Sequence, residues 1–205
     1  MKNIKTKRSV YRCLALLLSV VLFVGVMTGC SDQEAQEALD NNGYSYTTSS
    51  VTTPNGTSVP TRKYSGELTD EDYDMAVEYQ EEYYPNLTVL RDPTIKYNCH
   101  SYAWYSTASS NTHWMPYPSA YINDGSYSYV TYTSNINTIP STVSNGAKVV
   151  WLQADADGNY IPIHSGIKYS STLVTSKWGM MGLYRHAQGY SPYNSDTDAL
   201  WYYDD

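Results

Sequence analysis

Cys99 and His164 are the two residues whose types and settings in this chain could together do covalent chemistry. Cys99 lies in Tyr97-Asn98-Cys99-His100-Ser101-Tyr102-Ala103-Trp104-Tyr105. Asn98 is a good helix N-cap, because its side-chain oxygen can accept an unpaired backbone N–H. Cys99 then takes the first helical position, in the positive end of the helix dipole, which favours thiolate over thiol. His164 lies in residues 160–169, where Ile163, Ser165, Ile167 and Tyr169 alternate with His164, Gly166 and Lys168. That period of two predicts a strand with the first set on the packed face and His164 on the other. A thiolate nucleophile needs a nearby general base, and an imidazole fixed on a strand beside the Cys helix can serve.

The amino terminus sets the compartment in which such a pair would work. Lys2, Lys5, Lys7, Arg8 and Arg12 form a positive region without an acid, followed by an apolar stretch over 14–27. The stretch has the length of a signal h-region and is short for a membrane span. Met27-Thr28-Gly29-Cys30 then resembles a bacterial lipobox. The resemblance implies a lipoprotein signal peptide over 1–29, acylation of Cys30, and a mature chain anchored outside the cytoplasm on the bacterial cell membrane.

Without residues 1–29 the chain has 176 residues, with 8 basic against 20 acidic side chains. This balance argues against nucleic acid, which needs a basic face. It also repels anionic lipid, so membrane attachment falls to the anchor at Cys30. Cys13 leaves with the signal and Cys30 is consumed by acylation, so Cys99 remains as a lone thiol in an exported protein, without a disulfide partner in its own chain. The single Phe, Phe23, leaves too, while 22 Tyr remain. Tyr must therefore fill core positions, and each buried hydroxyl needs a partner.

The elements that must position the pair follow in order. Residues 30–66, rich in Ser, Thr, Asn and Gly, read as a disordered tether. The folded domain is expected over 67–205. Thr69-Asp70-Glu71-Asp72 is a helix-capping signature, and the helix ends before Pro85. Residues 87–90 read as a short strand, and the Cys99 helix should run to about Thr107. Residues 108–145 read as a long loop in which Trp114, Tyr117 and Tyr121 could line a cleft. Strands are expected over 147–152, 160–169, 173–178 and 198–203, with a hairpin turn at Asp155-Ala156-Asp157-Gly158-Asn159. Helices first and antiparallel strands after predict an α+β fold, N-terminal helices packed on a small antiparallel sheet.

Other chemistries compete for the same residues. Cys99, His100, His113, His164 and His186 include zinc-ligand types, but no CxxC or HExxH spacing is present. Residues 155–159 hold a fragment of a calcium-loop rhythm without its closing Glu. Neither a metal nor another cofactor is expected.

A cysteine opening a helix, with a histidine at the start of a strand 65 residues later, resembles the papain-like cysteine peptidase and amidase superfamily. Tyr97-Asn98-Cys99-His100-Ser101 resembles the Tyr/Phe-Asp-Cys-Ser-Gly pattern of NlpC-type peptidases. Cys99-His100-Ser101-Tyr102-Ala103 is similar to the Cys-Thr-Trp-Tyr-Ala pattern of CHAP-type amidases. His164-Ser165-Gly166-Ile167 resembles the His-Val-Gly-Ile that opens their histidine strand. The resemblance spans roughly residues 90–180. It implies a papain-like fold, Cys99 as nucleophile, His164 as base, and Tyr97 with the Cys99 backbone N–H as an oxyanion hole.

Two departures from the pattern carry consequences. Asn98 stands where the NlpC branch has an Asp that helps bind a peptidoglycan amino group. The strand after His164 has no His, Asn, Asp or Glu to orient the imidazole; Ser176 and His186 are the alternatives. The expectation is a monomeric, lipid-anchored hydrolase cutting an amide in cell-wall or exported peptide. The competing expectation is a non-catalytic surface module that binds glycan or peptide through a Tyr/Trp-rich groove.

Overall fold

The computed structural model describes residues 32–205, so the signal segment and Cys30 lie outside the described residues. The described chain is mostly β, which overturns the expected papain-like α+β arrangement of N-terminal helices on a small sheet. Its centre is a seven-stranded antiparallel sheet built from β3 (Thr88–Arg91), β4 (Ser128–Thr133), β5 (Lys148–Ala154), β6 (Tyr160–Lys168), β7 (Leu173–Lys177), β8 (Leu183–Ala187) and β9 (Ala199–Asp204). The strands lie in the order β3-β8-β7-β6-β5-β9-β4. The helices are α1 (Asp32–Asn41), α2 (Asp70–Tyr83), a π-turn (Ser101–Tyr105), α3 (Ser119–Asn123) and a 3-10 turn (Asn194–Asp196).

The expected tether is folded. Residues 46–64 form a hairpin of β1 (Tyr46–Thr52) and β2 (Ser58–Tyr64), preceded by α1. Val51, Val59, Thr61 and Tyr64 are buried, and Arg62 and Trp114 exchange backbone hydrogen bonds at 2.8 Å. The Ser/Thr-rich sequence hides this because its few apolar residues, Tyr46 and Val51 in β1 and Val59 and Tyr64 in β2, do not recur at a period of two. The expected 108–145 loop likewise contains α3 and β4. As the last strand of the sheet β4 keeps most of its residues at least partly exposed, so it shows no apolar stripe. The segment holding His186, expected as a loop, is β8.

The layers follow from strand alternation. On one face of the sheet Trp151 of β5 stands opposite His164 of β6, and the α1 residue Leu39, the α2 residue Ala76, Trp178, Met181 and Tyr193 join Trp151 in one apolar cluster. On the other face Val150, Leu152 and Tyr203 pack against Trp104 and Ala103 of the π-turn, Tyr121 of α3 and Val51 and Val59 of the hairpin. Both faces are covered, so β5 and β6 are buried on both sides rather than alternating in and out.

Local signals explain the elements that were anticipated. Thr69 Oγ1 accepts the Asp72 N–H at 3.1 Å, an N-cap with three acids in the first turn of α2. Asp155 Oδ1 accepts the N–H groups of Asp157 and Asn159 at 2.9 and 2.8 Å, and Gly158 takes φ +81, which closes the β5–β6 hairpin. Tyrosine does fill the core, with its hydroxyls paired. Tyr202 donates to Gln188 Oε1 at 2.7 Å, Tyr121 to the Thr52 carbonyl at 3.2 Å, and Tyr184 accepts from the Gly182 N–H at 2.9 Å.

A folded 46–64 segment makes a direct prediction. Hydrogen exchange at Thr53, Arg62 and Ser65, whose amides bond Thr57, Trp114 and Ser45, should be slowed by at least about a hundredfold relative to a free coil. Exchange at coil rates would mean that the hairpin is not formed.

Candidate active site

Asn98 builds the loop that carries the thiol. Its Oδ1 accepts the Ser101 N–H at 3.1 Å, the capping geometry, and also the Met115 N–H at 3.0 Å. Its Nδ2 donates to the Met115 carbonyl at 2.7 Å. The helical run is shorter than expected and ends at Tyr105, not Thr107. Ser106 leaves in an extended conformation, and Asn111 Nδ2 holds its carbonyl at 2.9 Å. The Ser106 N–H bonds the Ser101 carbonyl at 3.0 Å across five residues, a π-turn of the kind often found at functional sites.

Cys99 is fully buried, and its Sγ accepts the Ser165 backbone N–H at 3.3 Å. The sheet explains how a side chain reaches that amide. The Lys168 N–H bonds Ala147 next to β5, so by alternation the Gly166 amide points to β5 and the Ser165 amide points away. On that other side β6 pairs with β7 at Ile167↔Thr175 and Lys168↔Val174. Continued, this register would bring Lys177 opposite Ser165. The thiol takes that position instead. It therefore sits at the edge of β6, level with the strand, between side chains that point to opposite faces.

On one face is Ser165. Trp104 Nε1 donates to its hydroxyl at 3.0 Å, and the hydroxyl lies 2.8 Å from His100 Nδ1. With the indole as donor, the Ser165 proton is directed to His100. Burial holds the His100 pKa down at about 3, so the ring is neutral.

On the other face is His164, also fully buried. Its ring stacks on Tyr193 with centroids 3.8 Å apart and planes 11° apart, and meets Trp151 edge-on at 4.9 Å. Neither ring nitrogen has a hydrogen-bond partner among the described residues. Burial drives its pKa well below the ordinary 6.5, and the neighbouring His186 and His100 push the same way. Leaving a buried polar atom unsatisfied costs about 1–3 kcal/mol, so an imidazole with two such atoms calls for an explanation.

The alternatives for orienting His164 are occupied with one another. His186 Nδ1 lies 2.8 Å from the Ala187 carbonyl, which can only accept, so Nδ1 carries the proton. Nε2 is then an acceptor, and Ser176 donates to it at 2.7 Å while accepting from Trp178 Nε1 at 3.0 Å. His186 is neutral, its pKa lowered by burial to about 4. Ser176 and His186 thus share the face of His164 but do not bond it. What holds the imidazole is the pair of rings Tyr193 and Trp151, which no sequence signal separates from the other aromatics. Tyr97 is buried, with its hydroxyl accepting from Arg91 Nη1 at 3.2 Å. Among the described residues no three His, Cys, Asp or Glu side chains converge as metal ligands.

No family model, no curated protein and no solved structure matches this chain. Among the described residues no helix is long and apolar enough to cross a membrane.

The three buried imidazoles make stability depend on pH with a definite sign. Each is neutral in the folded chain but protonates near 6.5 once unfolded, so the unfolded state binds more protons below that pH. Stability should be full above about pH 7 and fall as pH drops from 6.5 towards the folded values near 4 and 3. With all three contributing, the slope approaches roughly 4 kcal/mol per pH unit. Urea midpoints measured from pH 8 to pH 5 check this; a flat profile would show that the rings are not held neutral.

Proposed function

We propose that Cys99 and His164 are the nucleophile and general base of a hydrolase that cleaves an amide bond in cell-wall or exported peptide. The chain works outside the cytoplasm, held at the bacterial cell membrane through acylated Cys30. The observation that carries the reading is His164: a buried imidazole with both nitrogens unpartnered, one residue from the amide that bonds the Cys99 sulfur.

The chemistry follows from these groups. His164 takes the thiol proton, and the sulfur attacks the substrate carbonyl carbon. The Ser165 N–H, already directed at Sγ, stabilises the thiolate before attack. The Cys99 backbone N–H and the Tyr97 hydroxyl are the donors nearest in sequence for the oxyanion. The imidazolium returns its proton to the leaving amine, giving a thioester. Water, deprotonated by His164, then releases the acid and restores the thiol.

A second reading is favoured by a different observation. An open groove of about 510 Å³ lies between α1, the hairpin and the 116–117 segment, lined among others by Tyr46, Pro60, Arg62, Pro116 and Tyr117. Tyr117 is half exposed there, whereas the thiol is wholly buried. These features suit a module that binds glycan or peptide without cutting it.

The readings divide on one experiment. Purified mature chain is incubated with peptidoglycan and with an exported-peptide library, and new amines are counted. Cys99→Ala should lower the rate by at least about a thousandfold. His164→Gln should lower it by about 10²–10⁴-fold. Amine release that survives in both variants, or substrate capture without any release, overturns the hydrolase.

A further inference from the structure

Cys99 and His164 are both fully buried, and α1 is one of the elements on the His164 face, beside Ala76 of α2 and Tyr193, which stacks directly on the ring. Helix α1 is not part of the sheet and precedes every strand. It packs against β6, the strand that carries His164. Leu39 of α1 is completely buried and belongs to the apolar cluster that contains Trp151 and Tyr193, the two rings that flank His164.

Among residues 36–41, whose side chains are described, Asp40 makes the polar contacts. Asp40 Oδ2 accepts from Arg62 Nη1 at 2.6 Å, and Asp40 Oδ1 accepts from the Tyr64 hydroxyl at 3.2 Å. The Asp40–Arg62 pair is partly exposed, where such a bridge contributes only about 0–1 kcal/mol. Gln36 is buried with its Oε1 unpartnered among the described residues, a small cost against docking. A ten-residue helix is marginal by itself in water. Leu39 is the fully buried apolar side chain among residues 36–41 of the helix, which leads into a loop whose Gly43, at φ +81, permits the turn into the hairpin.

We propose that α1 is an intramolecular cover for the Cys99–His164 site, docked through Leu39 and Asp40, and that access to the site requires its release. The sheet, the Cys99 loop and the Ser165 contact stay in place when it leaves, because none of them depends on α1 for its hydrogen bonds. The proposal takes the site from the hydrolase reading, but it predicts thiol accessibility, which does not depend on catalysis.

The test reads Cys99 capture by iodoacetamide alongside hydrogen exchange, in the intact mature chain. Capture should be limited by a local opening with the same free energy as exchange of the α1 amides, well below that of global unfolding. Leu39→Asp, which puts a carboxylate in the apolar cluster, should speed both capture and α1 exchange by about thirtyfold or more. Asp40→Asn, at a partly exposed carboxylate, should speed both by only a few-fold. The two variants should keep the near-ultraviolet circular dichroism of the parent. If Leu39→Asp does not fold, the parent comparison alone decides: capture that tracks global unfolding, or capture unchanged while α1 exchanges faster, overturns the cover. Faster capture without amide cleavage would leave the cover standing and remove the hydrolase. Cleavage in a chain whose α1 stays protected would do the reverse.

Discussion

A buried lysine ties the end of β7, beside the place where the thiol sits, to the turn that follows it. Lys177 ends β7 with no solvent exposure, and its Nζ donates to the carbonyls of Thr94, Gly179 and Met181. A fully buried lysine nitrogen needs such acceptors. Those carbonyls lie in the approach to the Cys99 loop and in the turn from β7 to β8. Their grip commits the end of β7 to that turn and not to β6. The Ser165 amide is left facing a gap, and Cys99 fills it.

Much of the arrangement follows from that gap. Because the sulfur enters level with β6, it lies between consecutive residues that point to opposite faces. Ser165 on one side is tied to Trp104 and His100, and His164 on the other side is tied to nothing polar among the described residues. Gly166 next in the strand must be small. A Cβ there would come within 3.1 Å of Ser176 Cβ and the Thr175 carbonyl, and within 3.3 Å of Trp151. The Ser176–His186 couple across β7 and β8 is complete in itself, so the sheet presents a satisfied pair beside an unsatisfied one. The contrast is between His164 and His186, since both rings are buried.

Cys99 and His164, as candidates, and most of the long strands are legible in the sequence. Asn98 signals the cap, and the apolar runs in 147–152 and 160–169 signal strands long enough to hold their period. The hairpin turn at 155–159 is written in Asp and Gly. What was hidden had physical reasons. β1, β2 and β4 are rich in Ser, Thr and Tyr, β8 is only five residues of mixed type, and β4 pairs with β9, distant in sequence. Without β4 and β8 a sheet of seven strands reads as a small one, and without the β1–β2 hairpin the helices gain undue weight, which is how the α+β expectation arises. Tyr193 could not be picked out as the ring stacked on His164, because it is one of 23 tyrosines and lies 29 residues away in a turn. The place of Cys99 in a strand gap lies beside Lys177, whose role no local pattern announces.

The central claim is that Cys99 and His164 work as one pair across the edge of β6, and a short bifunctional reagent tests it most directly. Treating the mature chain with 1,3-dibromoacetone alkylates the thiol first and then any imidazole within reach, with bromide leaving at each step. Tryptic mapping distinguishes the partners, because Cys99 falls in residues 97–148, His164 in 149–168 and His186 in 186–205. The account predicts a covalent bridge between the first two peptides, lost in His164→Gln. A thiol adduct that never bridges, or one that bridges only to His186 or within the Cys99 peptide, would contradict it.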